Sequence, residues 1–257
     1  MSSHSESHSV VEFVHAGYCL PNGKRLLEDV HLEVREGETL ILLGRSGAGK
    51  TTALKLINRL LEPSEGQVRV EGRSTLEWDA IALRRKIGYV IQETGLFPHF
   101  TVEKNISVVP KLEGWDAERI KARVNELLEL VGLPAAQFRE RYPHELSGGQ
   151  RQRVGLARAL AADPGILLMD EPFGELDPLT RAEVREEFLT LEKRIRKTIV
   201  LVTHDVAEAL LLGTRIAVFD GGRVHGVYTP REFLDSDEPE IAAYRKQIRT
   251  REDLEGV

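Results

Sequence analysis

Two glycines, a lysine and a threonine recur at fixed spacing in GRSGAGKT, Gly44 to Thr51, and together they can hold a phosphate. The spacing fits the phosphate-binding pattern G-x-x-x-x-G-K-[ST], and it stands where that pattern has to stand, between an apolar strand (Leu40 to Leu43) and a helical run. There the glycines let backbone N–H groups approach phosphate oxygens, Lys50 neutralises the outer phosphates, and the Thr51 hydroxyl is available to Mg²⁺. The candidate cofactor-binding residues of this segment are Gly44, Arg45, Ser46, Gly47, Ala48, Gly49, Lys50, Thr51 and Thr52.

A second group follows in ILLMDEP. An apolar strand ending at Asp170 puts a carboxylate at the carboxyl edge of a sheet, where ligands of α/β folds bind, and Asp170 can enter a magnesium shell. Glu171, one residue on, is placed to take a proton from an attacking water. An Asp-Glu pair alone is an ordinary strand end in solvent; paired with a phosphate loop it becomes a candidate catalytic pair. Gln92, ending the strand GYVIQ, can reach a metal or a water from the same edge, or is a solvated loop residue. His204, after VLVT, can hydrogen-bond a terminal phosphate or serve the structure alone. Tyr18 can stack on a base or simply pack.

The string LSGGQ, Leu146 to Gln150, is the third group. Ser147, Gly148, Gly149 and Gln150 open a strong helical pattern with a cap suited to an anion. One phosphate loop is already present, so a second anion-binding helix start serves either another nucleotide or a nucleotide bound to another copy of the chain.

The elements that must position these groups are readable from periodicity. From Val10 to Val34 short alternating strands flank the turn signal PNGK, which predicts an antiparallel opening sheet. The apolar strand and phosphate loop then lead into a helix whose Leu54, Ile57, Leu60 and Leu61 fall at helical spacing before Pro63. SEGQVRVEG reads as a strand hairpin and KIGYVIQ as a buried strand. Between Thr94 and Leu160 helices dominate, including an apolar stripe of Ile120, Val124, Leu127, Leu128 and Val131 ended by Gly132 and Pro134. Strands resume at GILLMD, TIVLVTHD and RIAVFDGGRV, around a helix from Arg181 to Arg194. The expected fold is α/β: a phosphate-loop core of mostly parallel sheet, an N-terminal antiparallel β lobe and an inserted helical lobe over about residues 94–160 within a domain spanning 10–234.

Composition bounds the function. The 257 residues carry a net charge of −6 with basic side chains scattered among acids, which argues against nucleic acid as the main partner. Cys19 is the only cysteine, so no intrachain disulfide forms. The start MSSHSESHSV has neither an apolar core nor a basic leader and reads as a frayed tail over residues 1–9. His4, Ser7, His8 and Ser9 in it suggest terminal disorder before they suggest a metal. No apolar run approaches the ~18 residues that cross a bilayer. Residues 235–257 read as a short charged tail.

In this order, the phosphate loop, LSGGQ, ILLMDEP, Gln92 and His204 resemble the nucleotide-binding domain of ATP-binding cassette (ABC) transporters, over about Val11 to Leu234. The resemblance implies ATP and Mg²⁺ as cofactors and a head-to-tail homodimer. Each ATP would lie between the phosphate loop of one copy and the LSGGQ of the other. It implies that Tyr18 stacks on adenine, Gln92 links magnesium to the membrane interface, and Thr51 and Asp170 serve the metal. Glu171 becomes the general base, His204 the switch histidine, and Asp177 in GELDP the link between the two sites. Longer stretches, such as RYPHELSGGQRQRVGLARALAADPGILLMDEPFGELDP, are similar to importer ATPases for glycine betaine, choline and carnitine. The implied partners are integral membrane permease subunits, with residues Gly95 to Phe100 in the groove that receives the permease, and indirectly an extracytoplasmic substrate-binding component. The implied place is the cytoplasmic face of the membrane. The resemblance also leaves room for an amino-acid importer, or for a soluble scaffold or switch of the same family. Two departures stand out: Glu175 stands where the family usually has a small residue beside Asp177, and the residues after the cassette read as a short charged tail, so the C-terminal pair of regulatory domains that many relatives carry is not expected.

Overall fold

The computed structural model describes residues 8–92, 94–244 and 246. Of the tails expected at residues 1–9 and 235–257, residues 1–7, 245 and 247–257 lie outside them, while Ser9 opens a strand and residues 239–244 are helical with Ile241 buried. In chain order the elements begin with strands β1 (Ser9–Cys19), β2 (Arg25–Arg35) and β3 (Thr39–Gly44), then helix α1 (Lys50–Ile57). Next come β4 (Glu65–Val70), β5 (Arg73–Ser74), α2 (Ala80–Lys86) and β6 (Ile87–Val90). Helices α3 (Val102–Ile106), α4 (Val108–Leu112), α5 (Ala117–Leu130), α6 (Ala135–Phe138) and α7 (Gly148–Leu160) follow, with a 3₁₀ turn at Pro143–Glu145. The chain continues through β7 (Ile166–Asp170), α8 (Pro178–Ile195), β8 (Thr198–Thr203), α9 (Val206–Leu212), β9 (Arg215–Asp220), β10 (Arg223–Tyr228) and α10 (Pro230–Asp235).

The chain divides into two compact units, residues 1–78 with 200–257, and residues 79–199. In the first, an antiparallel sheet runs in the order β2-β1-β4-β5. Burial alternates from Val30 through Leu32 to Val34, as in a strand covered on one face, and an irregularity at Asp29, whose φ is 49°, separates them from buried Leu27. A second sheet of this unit follows the order β10-β9-β3-β8. β3 runs parallel to β9 and is buried at every position, which is why its sequence is a continuous apolar run rather than an alternation.

The second unit holds α2 to α8 with the parallel pair β6 and β7. α5 is capped by Asp116, which accepts from Arg119 N–H, and buries Ile120, Val124, Leu127 and Leu128. α8 starts on Asp177 and Pro178 and ends at Arg196, whose φ of 47° stops it.

Two boundaries depart from the sequence reading: the strand expected over KIGYVIQ is only Ile87–Val90, so Lys86 closes α2 and Gln92 lies in a turn, and α1 is shorter than its apolar spacing suggests. α1 ends at Ile57 rather than running through Leu61. Arg59 takes a φ of 54°, and the N–H groups of Leu60 and Leu61 turn back to Lys55 O. Arg59 holds this turn by donating to Trp78 O at 2.7 Å and to Glu62. The helical spacing of Leu60 and Leu61 is therefore incidental, and Leu60 stays 46% exposed.

Candidate nucleotide-binding site

In the first unit the phosphate loop leaves the buried end of β3 and turns into α1. A β-carbon at Gly44 would stand 2.5 Å from Phe219 O of the neighbouring β9, so only glycine lets the strand finish there. Gly47 and Gly49 have φ of 80° and 101°, the region that side chains avoid. At Gly49 a β-carbon would also meet Leu27 Cδ2 at 2.7 Å and Leu26 O at 2.8 Å. The loop is thus forced over by backbone geometry and packed on β2. Lys50 is 4% exposed, and its Nζ donates to Gly44 O at 2.7 Å and Arg45 O at 3.0 Å. An ammonium held within the loop's own ring of carbonyls, at the start of a helix, is the charge that a bound polyphosphate needs. Thr51 and Thr52 are half-buried in the first turn of α1.

Tyr18 pairs across the β1–β2 ladder with Leu27, the residue that abuts Gly49, so it lies one strand from the loop and is half-buried. His204 is exposed immediately after β8. The buried residues beside it fix its presentation. Thr203 Oγ1 donates to Glu208 Oε2 at 2.6 Å, and Asp205 N–H donates to Thr203 Oγ1 at 3.0 Å. Asp205 in turn caps α9 by accepting from Ala207 and Glu208 N–H. Thr203 and Glu208, 2% and 4% exposed, carry no motif spacing and were not legible as supports for His204.

In the second unit Asp170 closes β7 and is 7% exposed. Tyr89, from the parallel β6, donates its hydroxyl to Asp170 Oδ2 at 3.5 Å. Burial first, and then the Asp170 charge, push the Tyr89 phenol well above its ordinary range, so it stays a donor. Glu171 is half-buried at a φ of 45°, a strained setting for a side chain that β7 does not need for pairing. Gly174 N–H donates to Glu171 O at 3.1 Å, closing a tight turn after the pair. Gln92 is exposed in a turn beyond β6.

Ser147 caps α7. Its Oγ accepts from Gln150 N–H at 3.2 Å, and Gln150 Oε1 accepts from Ser147 N–H at 3.0 Å. That reciprocal box explains why Gln follows the glycines. Gly149 is buried for a reason the sequence did not reveal: a β-carbon there would lie 2.9 Å from Thr180 Cγ2 and 3.3 Å from Val184 Cγ2 of α8. Among the described residues the N–H groups of Gly148 and Gly149 have no acceptor. Asp177 caps α8, and its hydrogen bonds from Thr180 hold its carboxyl below the usual range.

Three residues that no motif flagged hold the loops of this unit. Arg181 Nε donates to Phe173 O, and its Nη2 donates to Gly174 O and Leu176 O, fastening the segment from Glu171 to Asp177. Arg158 donates at 2.6 Å to both Thr94 O and Gly95 O. Asn105, fully buried, accepts from Phe97 N–H and donates to the carbonyls of Phe97, Phe100 and Thr101. It shapes the loop that leaves Phe97 42% exposed.

A phosphate loop of this geometry on a mainly parallel sheet, together with a glycine-opened α7, defines a P-loop nucleotide-binding cassette. The chain belongs to the ABC transporter family, whose sequence pattern matches residues 27–174. It is 51% identical over 227 residues to the osmoprotectant import ATP-binding protein OsmV of Salmonella typhimurium, covering 88% of this chain and 59% of that one. It is 48% identical over 239 residues to the glycine betaine/carnitine/choline transport ATP-binding protein OpuCA of Bacillus subtilis, covering 91% and 63%. The chain thus spans about 60% of the length of these relatives. Among solved structures, the ATP-binding cassette MJ0796, seen as a dimer in a post-hydrolysis state with ADP and Pi, superposes with a TM-score of 0.76 at 34% identity, covering 86% of this chain and 99% of that one. The cbiO1 protein of Clostridium perfringens superposes with a TM-score of 0.82 at 26% identity, covering 97% of this chain and 100% of that one.

Proposed function

We propose that this chain is the ATP-hydrolysing, energy-coupling subunit of an ABC importer for quaternary-ammonium osmoprotectants, seated on the cytoplasmic face of a membrane permease. The observation that carries the reading is its identity of about one half, over most of its length, to relatives named for osmoprotectant and glycine betaine transport. No helix among the described residues is long and apolar enough to cross a membrane, so any permease is a separate chain or segment.

In this reading the loop amides and Lys50 bind the phosphates of ATP, and Tyr18 stacks on the adenine. The Thr51 hydroxyl and the Asp170 carboxylate offer the hard oxygen donors that suit Mg²⁺, with Gln92 as a further ligand; the ion would screen phosphate charge when bound. Glu171 accepts the proton of the attacking water, and His204 donates to the terminal phosphate. The free amides of Gly148 and Gly149, with Ser147, receive the terminal phosphate of a second copy's ATP, and Asp177 sits at that dimer contact. The exposed Leu179, 72% accessible beside Asp177, supports an interface there. Exposed Ile81, Phe97 and Leu112 support a permease-facing surface on the second unit. Closing the dimer on ATP would move the permease, and hydrolysis would reset it.

The test is purification of tagged Glu171→Gln chain from its own cells in ATP and mild detergent. Co-purification of an integral membrane protein with an osmoprotectant-binding component supports the reading. Recovery with only soluble proteins or nucleic acid overturns it in favour of a soluble switch.

A further inference from the structure

Away from the nucleotide site, β10 and the stretch after α10 bring an imidazole and two carboxylates together. His225 Nε2 lies 3.1 Å from Glu238 Oε2 and 3.6 Å from Glu240 Oε2. All three ligand atoms fall within 4.8 Å of one another. Ligands at about 2.0–2.1 Å around a tetrahedral metal stand roughly 3.3–3.4 Å apart, a length that the two His–Glu spacings bracket, the shorter also being a hydrogen bond.

The surroundings are arranged for this meeting. Tyr228 Oη donates to Glu238 Oε2 at 2.9 Å and orients it, as hydrogen-bond partners do around metal-binding carboxylates. Tyr228 can lie there only because residue 226 is glycine: a β-carbon at Gly226 would stand 2.3 Å from the phenol oxygen. Among the described residues neither Glu238 nor Glu240 pairs with a lysine or arginine, so the two carboxylates converge on the imidazole without a fixed cation between them. The side chains are 33%, 48% and 50% exposed, which leaves a path for an ion and a position for water.

We propose that His225, Glu238 and Glu240 form a binding site for a divalent transition-metal ion of the zinc type, with water completing the shell. One nitrogen and two carboxylate oxygens suit Zn²⁺, Co²⁺ or Ni²⁺, whereas Mg²⁺ favours an all-oxygen shell and keeps its waters. The ion would tie β10 to residues 239–244. That helical stretch buries Ile241, and its Tyr244 phenol lies close enough to Arg45 of the phosphate loop to feel that residue's charge. Occupancy would thereby steady a segment that lies near the phosphate loop.

The test is calorimetric titration of the nucleotide-free full chain with ZnCl₂, and the visible absorption of the chain loaded with Co²⁺. The proposal expects one site per chain and the intense visible bands of a low-coordinate cobalt centre. His225→Ala and Glu240→Gln should each weaken binding at least about tenfold. A background lacking the two N-terminal histidines and the lone cysteine (His4→Ala, His8→Ala, Cys19→Ser) should bind unchanged. Glu240→Gln stands in should His225→Ala fail to fold. Unaltered binding in both site variants, loss of binding in the background lacking His4, His8 and Cys19, or no binding by the parent chain overturns the proposal.

Discussion

Gly149 is packed against Thr180: a β-carbon at position 149 would lie 2.9 Å from the threonine methyl. The start of α7 and the first turn of α8 are therefore one packed block, and Ser147, Gly148, Gly149 and Asp177 are presented together by it. Gly149→Ala should destabilise the chain by about 1–3 kcal/mol, because the extra methyl must displace its neighbours. Thr180→Ser in the same chain removes the opposing methyl and should restore much of the lost Tm. If the double variant regains stability but not turnover, the helix start has a role in catalysis beyond packing. If Gly149→Ala leaves Tm unchanged, the packing argument is wrong.

Arg158 holds the loop after Gln92 by two short bonds to carbonyls, and burial lowers its guanidinium's pKa from the ordinary value. Thr94 and Gly95 both have φ of 54°, so this loop needs an external clamp. Arg158→Ala should cost about 1–3 kcal/mol in chemical denaturation, with faster hydrogen exchange around residues 94–97. Exchange there at the parent rate would show that Arg158 does not hold the loop.

The acid limb of stability has a traceable contribution. The Asp163 carboxyl is held below its ordinary pKa, first by the hydrogen bond from Lys197 and then by the charges of Lys197 and Arg123. A depressed carboxylate pKa stabilises the folded chain fully above the unfolded value, near 3.9, and the contribution fades as pH falls from there through the folded value. Asp163→Asn should flatten the stability curve below about pH 4 and cost less than about 1 kcal/mol at neutrality, since Asp163 is 65% exposed. An unchanged acid limb in urea melts from pH 3 to 6 would remove Asp163 from this account.

Glu171 should behave as a proton acceptor and not as a binding residue. Glu171→Gln keeps the side chain's shape and should lower kcat by about 10²–10⁴ with ATP affinity retained. A parallel loss of ATP affinity, read by fluorescent-nucleotide titration, would point to binding instead.

The parts legible in the sequence are those where chemistry or burial dictates residue type at fixed spacing. GRSGAGKT could be read because Gly44 and Gly49 are places where no β-carbon fits, and β3 and β7 could be read because full burial demands unbroken apolar runs. The end of α1 was not legible: Leu60 and Leu61 keep helical spacing, and only the bond from Arg59 to Trp78 O, nineteen residues away, shows where the helix stops. Arg158, Arg181 and Asn105 escaped for the same reason. Each bonds backbone carbonyls, which any sequence supplies, so no partner residue marks them. Gly149 was legible as special, but its packing role needed Thr180 in place.

In the proposed function the amides of Gly148 and Gly149 at the start of α7 receive the phosphate of a second copy's ATP. Sedimentation of Glu171→Gln with and without Mg-ATP tests it most directly. The chain should be a monomer without nucleotide, a species of twice the mass with ATP, and a monomer again when Ser147→Arg fills the helix start. A nucleotide-loaded Glu171→Gln chain that stays monomeric, or a dimer indifferent to Ser147→Arg, would contradict it.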